Sequence, residues 1–185
     1  MSRTVFPVFF LRVPRHIEGG DMRLRPLRLL DGQVIRSGFR NSDILRSSGL
    51  AALISKSWIS LWWWLKKTYF ISYCIEVGSE CIGFIGLYDL IHDRSAELSL
   101  VIFDNKNRRL GYGTGAFNLL AQNLKQYSPE IRVKVKADNY AAILFWAKLG
   151  FKELSDLDDM KLMSMDLTGD RELERCPRFT RSPDK

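Results

Sequence analysis

Three glycines alternate along Arg108-Arg109-Leu110-Gly111-Tyr112-Gly113-Thr114-Gly115, and this stretch constrains the chain more than any other. It follows a β-prone run and opens an amphipathic helix. Glycines so spaced let the backbone curl tightly and approach a ligand closely. The first N–H groups of a helix have no partner inside it, and the helix dipole is positive at that end. Such an end holds a phosphate without a catalytic side chain. Arg108 and Arg109 add charge-assisted donors suited to a diphosphate.

Three readings of this stretch compete. The first is a glycine-rich turn capping a helix, with solvated arginines, although a simple turn requires neither three glycines nor two arginines. The second is a dinucleotide fingerprint, because Gly111, Gly113 and Ala116 satisfy G-x-G-x-x-A. That motif normally opens a series of parallel βαβ units, with an acidic residue about 20 positions on. A P-loop fails, since no Gly-Lys-Ser/Thr follows. The third is a site for the phosphates of coenzyme A, and the flanking elements favour it.

Those elements are as follows. Met22–Leu27 reads as a short strand, and Asp31–Phe39 and residues 49–66 as helices. Tyr69–Glu76 and Glu80–Tyr88 are apolar and β-prone, joined by Val77-Gly78-Ser79 as a hairpin. Ala96–Phe103 is a further strand. The period then changes: Phe117, Leu120, Ala121 and Leu124 make one helical stripe within Gly113–Tyr127. Ile131–Lys136 is a strand with Ile131, Val133 and Val135 on one face. Asn139–Leu149 is a helix capped by Asn139 and stopped by Gly150. Phe151–Leu154 and Lys161–Leu167 form a closing strand pair. An antiparallel meander thus leads into one strand–helix–strand unit. Ala96–Phe103 and Ile131–Lys136 should lie parallel with a right-handed crossover.

The 185 residues, 46% apolar and 26% charged, suit one domain with a sizeable core. Residues 1–21 read as an N-terminal extension, with Met22 a second possible start. Residues 22–168 read as the domain, and 169–185 as a polar, flexible tail. The apolar stretch Val5–Val13 is broken by Pro7 and Arg12, with no cleavage site after it. No run approaches the roughly 18 apolar residues of a spanning helix. A net charge of +7 suits polyanionic ligands, but no nucleic-acid-binding motif appears, so nucleic acid is not an expected partner. Cys74, Cys81 and Cys176 lack the spacing of a disulfide framework or zinc site; Cys74 and Cys81 read as core residues in a reducing cytoplasm, and no metal is expected. His16 and His92 lie far apart and complete no catalytic triad.

Arg108-x-x-Gly111-x-Gly113 resembles the pyrophosphate-binding signature of the GNAT N-acetyltransferase superfamily. Asn139-x-x-Ala142-x-x-x-Trp146-x-x-x-Gly150-Phe151 is similar to the family's N-x-x-A-x-x-x-Y-x-x-x-G-F segment. Ala96–Ile102 resembles its fourth strand. Leu24-Arg25-Pro26-Leu27, with Phe39-Arg40-Asn41, is similar to the branch acting on ribosomal-protein amino termini, polyamines, antibiotics and amino sugars. The resemblance covers Met22 to about Leu167. It implies an α/β (α+β) fold with a mixed, mostly antiparallel sheet of about seven strands, a central βαβ unit and flanking helices.

The resemblance also implies a reaction: acetyl transfer from acetyl-CoA to a primary amine, by direct attack, in a cytoplasmic monomer or homodimer. Backbone groups of Leu100, Val101 and Ile102 would bond the pantetheine arm. Arg108 and the amides of Arg109, Leu110, Gly111, Tyr112, Gly113, Thr114 and Gly115 would hold the pyrophosphate. Asn139 and Trp146 would flank the pantetheine and sulfur. An ammonium with pKa about 10.4 must lose a proton before attack. Glu97 is the candidate base, with a simple ion pair as its competing role, and Asp89 and Asp93 are weaker candidates. Trp146 stands where the family usually has tyrosine, and an indole N–H is no practical acid. Tyr112, Tyr140 or water could supply the proton, or none is used. A catalytically silent acyl-CoA-binding module is the competing function. Trp58, Trp62, Trp63 and Trp64 cannot all face one core, since successive helical residues point about 100° apart. They read as core packing with at least one ring exposed, lining an acceptor cleft or a dimer contact.

Overall fold

The computed structural model describes residues 13–28, 30–39, 71–88, 95–125 and 128–168. The helix expected over 49–66, its tryptophans, and Asp89, His92 and Asp93 lie outside the described residues.

An eight-stranded sheet organises these residues, with strand order β1-β2-β3-β4-β5-β6-β8-β7. The strands are β1 Ile17–Gly19, β2 Met22–Pro26, β3 Ile71–Val77, β4 Glu80–Tyr88, β5 Ser95–Ile102, β6 Glu130–Lys136, β7 Lys152–Leu157 and β8 Met160–Asp166. All neighbouring pairs run antiparallel except β5 and β6. This is the mixed, mostly antiparallel architecture expected, with one further strand. That strand, β1, comes from the stretch read as an extension. Ile17 pairs with Leu24 and is buried, and the Tyr73 hydroxyl donates to the Pro14 carbonyl at 2.6 Å.

Three α-helices are described: α1 Asp31–Phe39, α2 Tyr112–Leu124 and α3 Tyr140–Lys148. α2 crosses over between β5 and β6 and packs against β1, β2 and β5. Its stripe Phe117, Leu120, Ala121 and Leu124 is fully buried. The facing residues Leu24, Ile75, Ile85, Ala96 and Ile131 share that core. The alternation along β5 and β6 follows from this packing. Ala96, Leu98, Ile131, Val133 and Val135 face the core, so Glu97 and Lys134 project from the opposite face.

One buried ionic network ties the first strands to α1. Arg25 of β2 donates through Nε to Glu76 of β3, and through Nη1 and Nη2 to Asp31 at 2.7 and 2.9 Å. Arg23 closes the other side of Glu76. Asp31, the first residue of α1, also accepts the Arg28 amide at 2.6 Å. Burial opposes ionisation of both carboxyls. The guanidinium of Arg25 outweighs it and holds Asp31 and Glu76 below the ordinary carboxylate range.

Candidate functional site

β5 and β6 pair over only three positions, Ser95–Glu97 against Glu130–Arg132. Beyond Glu97 they part, while β5 stays paired with β4 through Ile102 and β6 with β8 through Lys136. A wedge therefore opens in mid-sheet. Consecutive residues of a strand turn their backbone groups to opposite edges. The Phe103 amide donates to the Ile82 carbonyl at 2.9 Å, so Val101 and Ser99 address β4. Leu98, Leu100 and Ile102 then address the wedge. Arg108 Nε donates to the Ile102 carbonyl at 3.2 Å, as that alternation requires.

The wide end of the wedge meets the start of α2. A single 3-10 turn, Asn105–Asn107, is capped by Asp104. Arg109 then takes a left-handed φ of 60° and Gly111 one of 86°. Gly111 is the N-cap of α2, and no side chain caps the helix. The first hydrogen bond inside α2 joins the Gly115 amide to the Gly111 carbonyl at 2.9 Å. The amides of Gly113 and Thr114 precede that bond, and both residues line the cavity. The helix mouth offers directed donors and positive partial charge to an anion there. A left-handed non-glycine residue beside it, Arg109, is the kind of local strain found at ligand sites.

The third wall is α3. The Asn139 side chain accepts the Ala142 amide at 3.2 Å, and its own amide donates to the Lys136 carbonyl at 3.0 Å, fixing the helix to the end of β6. Phe145 and Trp146 project toward the wedge. The Trp146 ring is buried, with centroid distances of 4.8 Å to Phe145, 5.0 Å to Phe151 and 6.0 Å to Phe117. These walls enclose an open cavity of about 760 Å³. It combines an apolar cleft with exposed strand amides and a cationic end, which suits a long flexible arm ending in a diphosphate.

A family model described as "Acetyltransferase (GNAT) family" matches residues 42–151, more than half of the chain. The chain belongs to the GNAT acetyltransferase family. Solved structures share its fold. A probable GNAT acetyltransferase from Chromobacterium violaceum is 18% identical, with a TM-score of 0.72 over 84% of this chain and 88% of that one. Spermidine N-acetyltransferase from Vibrio cholerae, solved with CoA and spermine, is 19% identical, with a TM-score of 0.68 over 80% and 96%. RimJ from Mycobacterium smegmatis, in complex with CoA-disulfide, is 18% identical, with a TM-score of 0.65 over 81% and 84%. No curated protein matches the chain.

In this GNAT chain the cavity gathers most of the expected site residues: Leu100, Val101, Ile102, Arg108, Arg109, Gly111, Gly113, Thr114, Asn139 and Trp146. Four others stand outside the lining, among them Glu97, the candidate base, whose neighbour Leu98 begins it. Leu110 is exposed outside the lining, Gly115 is buried, and Tyr112 is buried in the core cluster. The helical rotation of about 100° per residue turns Tyr112 inward while Gly113 faces the wedge. Tyr140, the first residue of α3, is exposed and outside the lining, although its neighbours Asn139 and Ala141 are in it. Glu97 sits at the apex, where Lys134 Nζ lies 2.8 Å from its Oε2.

The cavity also takes in Lys134, Asp138, Ala141 and Phe145, which sequence reasoning missed. The alternation of β6 placed Lys134 opposite Ile131, Val133 and Val135, and that was the available signal. Away from the cavity, ligand atoms of Asp31, Cys74 and Cys81 lie within 4.8 Å of one another. Both Asp31 oxygens already accept from Arg25, whose charge opposes a divalent cation there. No described helix is long and apolar enough to cross a membrane.

Proposed function

We propose that the chain transfers the acetyl group of acetyl-CoA to a primary amine of a small molecule or peptide terminus. The observation that carries this reading is the wedge between β5 and β6, which runs from an ionisable pair at its apex to an uncapped helix mouth at its wide end. The amides of Gly113 and Thr114, with Arg108 and Arg109, hold the diphosphate. Leu100 and Ile102 offer strand groups to the pantetheine arm, and Gly113 leaves room for it between Phe145 and Leu100. Coenzyme so held supplies an acetyl thioester at the apex. Relatives solved with CoA support the coenzyme assignment, and the Vibrio cholerae enzyme solved with spermine supports an amine acceptor.

Glu97 accepts the proton of the attacking ammonium, directly or through water, at the sheet face opposite α2. Positioning supplies most of the remaining acceleration. Tyr112 faces the core and Tyr140, though it begins α3 between two lining residues, is not itself in the lining, so in this reading the thiolate departs without a phenol. Its conjugate thiol has a pKa of about 8.5, low enough for unassisted loss. The reaction belongs in the cytoplasm, with acetyl-CoA and the amine as the ligands and no metal.

The test is release of free thiol from acetyl-CoA across a panel of polyamines, amino sugars and peptides, alongside calorimetric binding of CoA. Thiol release with at least one amine is the expected result. Binding without release from any amine would favour the second reading, a silent acyl-CoA-binding module. The observation favouring that module is Trp146, packed in an aromatic cluster where the family's phenol stands.

A further inference from the structure

We infer that Lys134 is an acceptor of the chain's own acetyl transfer, a self-modification site built into the apex of the wedge. The inference rests on the acetyl-CoA reading above. Lys134 is the lysine among the described residues that lines the cavity. It lies on β6 two positions past Arg132, the last residue paired with β5, and so where the strands begin to part. Its side chain shares a sheet face with Glu97, and Nζ lies 2.8 Å from Glu97 Oε2. The two side chains are 45% and 28% exposed, so the amine is accessible yet held.

An amine, a carboxylate in contact with it and a cavity shaped for a thioester are the parts that transfer to a free amine requires. Here the amine is covalently present, so its local concentration exceeds that of any dissolved acceptor. The Lys134 ammonium passes one proton to the Glu97 carboxylate. The free amine attacks the acetyl carbon. The Nζ–C bond forms, the C–S bond breaks, and coenzyme A leaves as thiolate. The Nζ of the addition product loses a second proton to solvent, and the Glu97 proton returns to the thiolate or to solvent. One acetyl-CoA is consumed per chain, with no redox change. The product amide carries no charge, so the pairing with Glu97 is lost and that carboxylate is released to an incoming ammonium.

The experiment incubates the full chain with acetyl-CoA and no added amine, then follows intact mass and maps peptides by mass spectrometry. Acetylation of Lys134 is expected to outpace that of the exposed lysines Lys125, Lys148 and Lys152 by at least about tenfold, from proximity. Its rate should be independent of protein concentration. Glu97→Gln should slow it by about tenfold or more while leaving Lys134 in place. Lys134→Arg should remove the mapped label without moving it to the exposed lysines. Three outcomes overturn the inference alone: CoA binding and thiol release to added amines with Lys134 unlabelled, a label spread evenly over exposed lysines, or a rate that rises with protein concentration. No binding of acetyl-CoA overturns the proposed function, and the inference with it.

Discussion

The backbone of Gly113 lies against the ring of Phe145: a β-carbon there would sit 3.3 Å from Phe145 Cζ and 3.5 Å from Leu100 Cδ2. Three elements, α2, α3 and β5, converge on that point, and glycine keeps the passage open between the helix mouth and the strand edge. Gly113→Val places a branched side chain in the passage. It is expected to weaken CoA binding by at least about tenfold, or about 1.4 kcal/mol. Overpacking should also cost about 1–3 kcal/mol of stability. Gly113→Ala should show smaller effects of the same sign. Calorimetry with CoA and a thermal melt check both, and unchanged affinity in the valine variant would remove Gly113 from the binding path.

Arg109 combines a left-handed backbone with a charge at the helix mouth. Glycine relieves the first and deletes the second, so the two effects should separate. Arg109→Gly is expected to hold or slightly raise Tm, because φ above zero suits glycine. The same change should weaken CoA by about tenfold, since a hydrogen bond to a charged group contributes about 1.5–3 kcal/mol. The loss should shrink as salt is added. A fall in Tm with unchanged affinity would make Arg109 a folding residue only.

Glu97, the proposed base, holds Lys134. A half-exposed ion pair contributes about 0–1 kcal/mol. Glu97→Gln should therefore leave Tm nearly unchanged and lower kcat for amine acetylation by about 10²–10⁴, the range of general-base catalysis. CoA affinity should stay at the wild-type level. Retained kcat would reduce Glu97 to a partner of Lys134.

The Arg25–Asp31–Glu76 network sets the acid limit of the fold. Both carboxyls have folded pKa values below their ordinary values of 3.8 and 4.5. A depressed folded pKa contributes stability that is present above the unfolded value and lost as pH falls through the folded one. Stability from this source should be constant above about pH 5 and fall progressively below about pH 4.5. Asp31→Asn leaves Arg25 buried with one full charge partner fewer, a loss of about 3–5 kcal/mol. Urea unfolding from pH 7 down to pH 3 checks the slope, which should be shallower in Asp31→Asn than in the wild type.

Local periodicity made much of this legible. Asp31–Phe39 was readable as a helix, and the stripe Phe117, Leu120, Ala121, Leu124 marked the face of α2 that is buried. The glycine-rich opening of α2 was visible because glycine spacing and adjacent arginines are local properties. What escaped depends on distant partners. β1 is three residues long and is held by pairing with Leu24, which no local pattern announces. The wedge exists because β5 and β6 stop pairing after Glu97, a tertiary event. Tyr112 and Gly113 are adjacent in sequence, yet the helical turn sends one into the core and the other to the cavity. Lys134 gains its importance from Glu97, 37 positions earlier in the chain and 2.8 Å away in space.

Trp146 bears on whether the proposed reaction waits on a proton donor. Its ring packs edge-on against Phe117, Phe145 and Phe151, so the residue is first a core element. Trp146→Tyr removes ring volume from that cluster and should cost about 1–3 kcal/mol, seen as a lower Tm with the fold retained. It also introduces a phenol beside the cavity. A thiolate whose conjugate acid has a pKa of about 8.5 leaves without help, so kcat for thiol release should remain within about threefold of the wild type at pH 8. General-acid assistance is worth about 10²–10⁴ in rate. A gain approaching that range in Trp146→Tyr would show that departure of coenzyme A limits the wild-type chain, and that tryptophan holds its activity down.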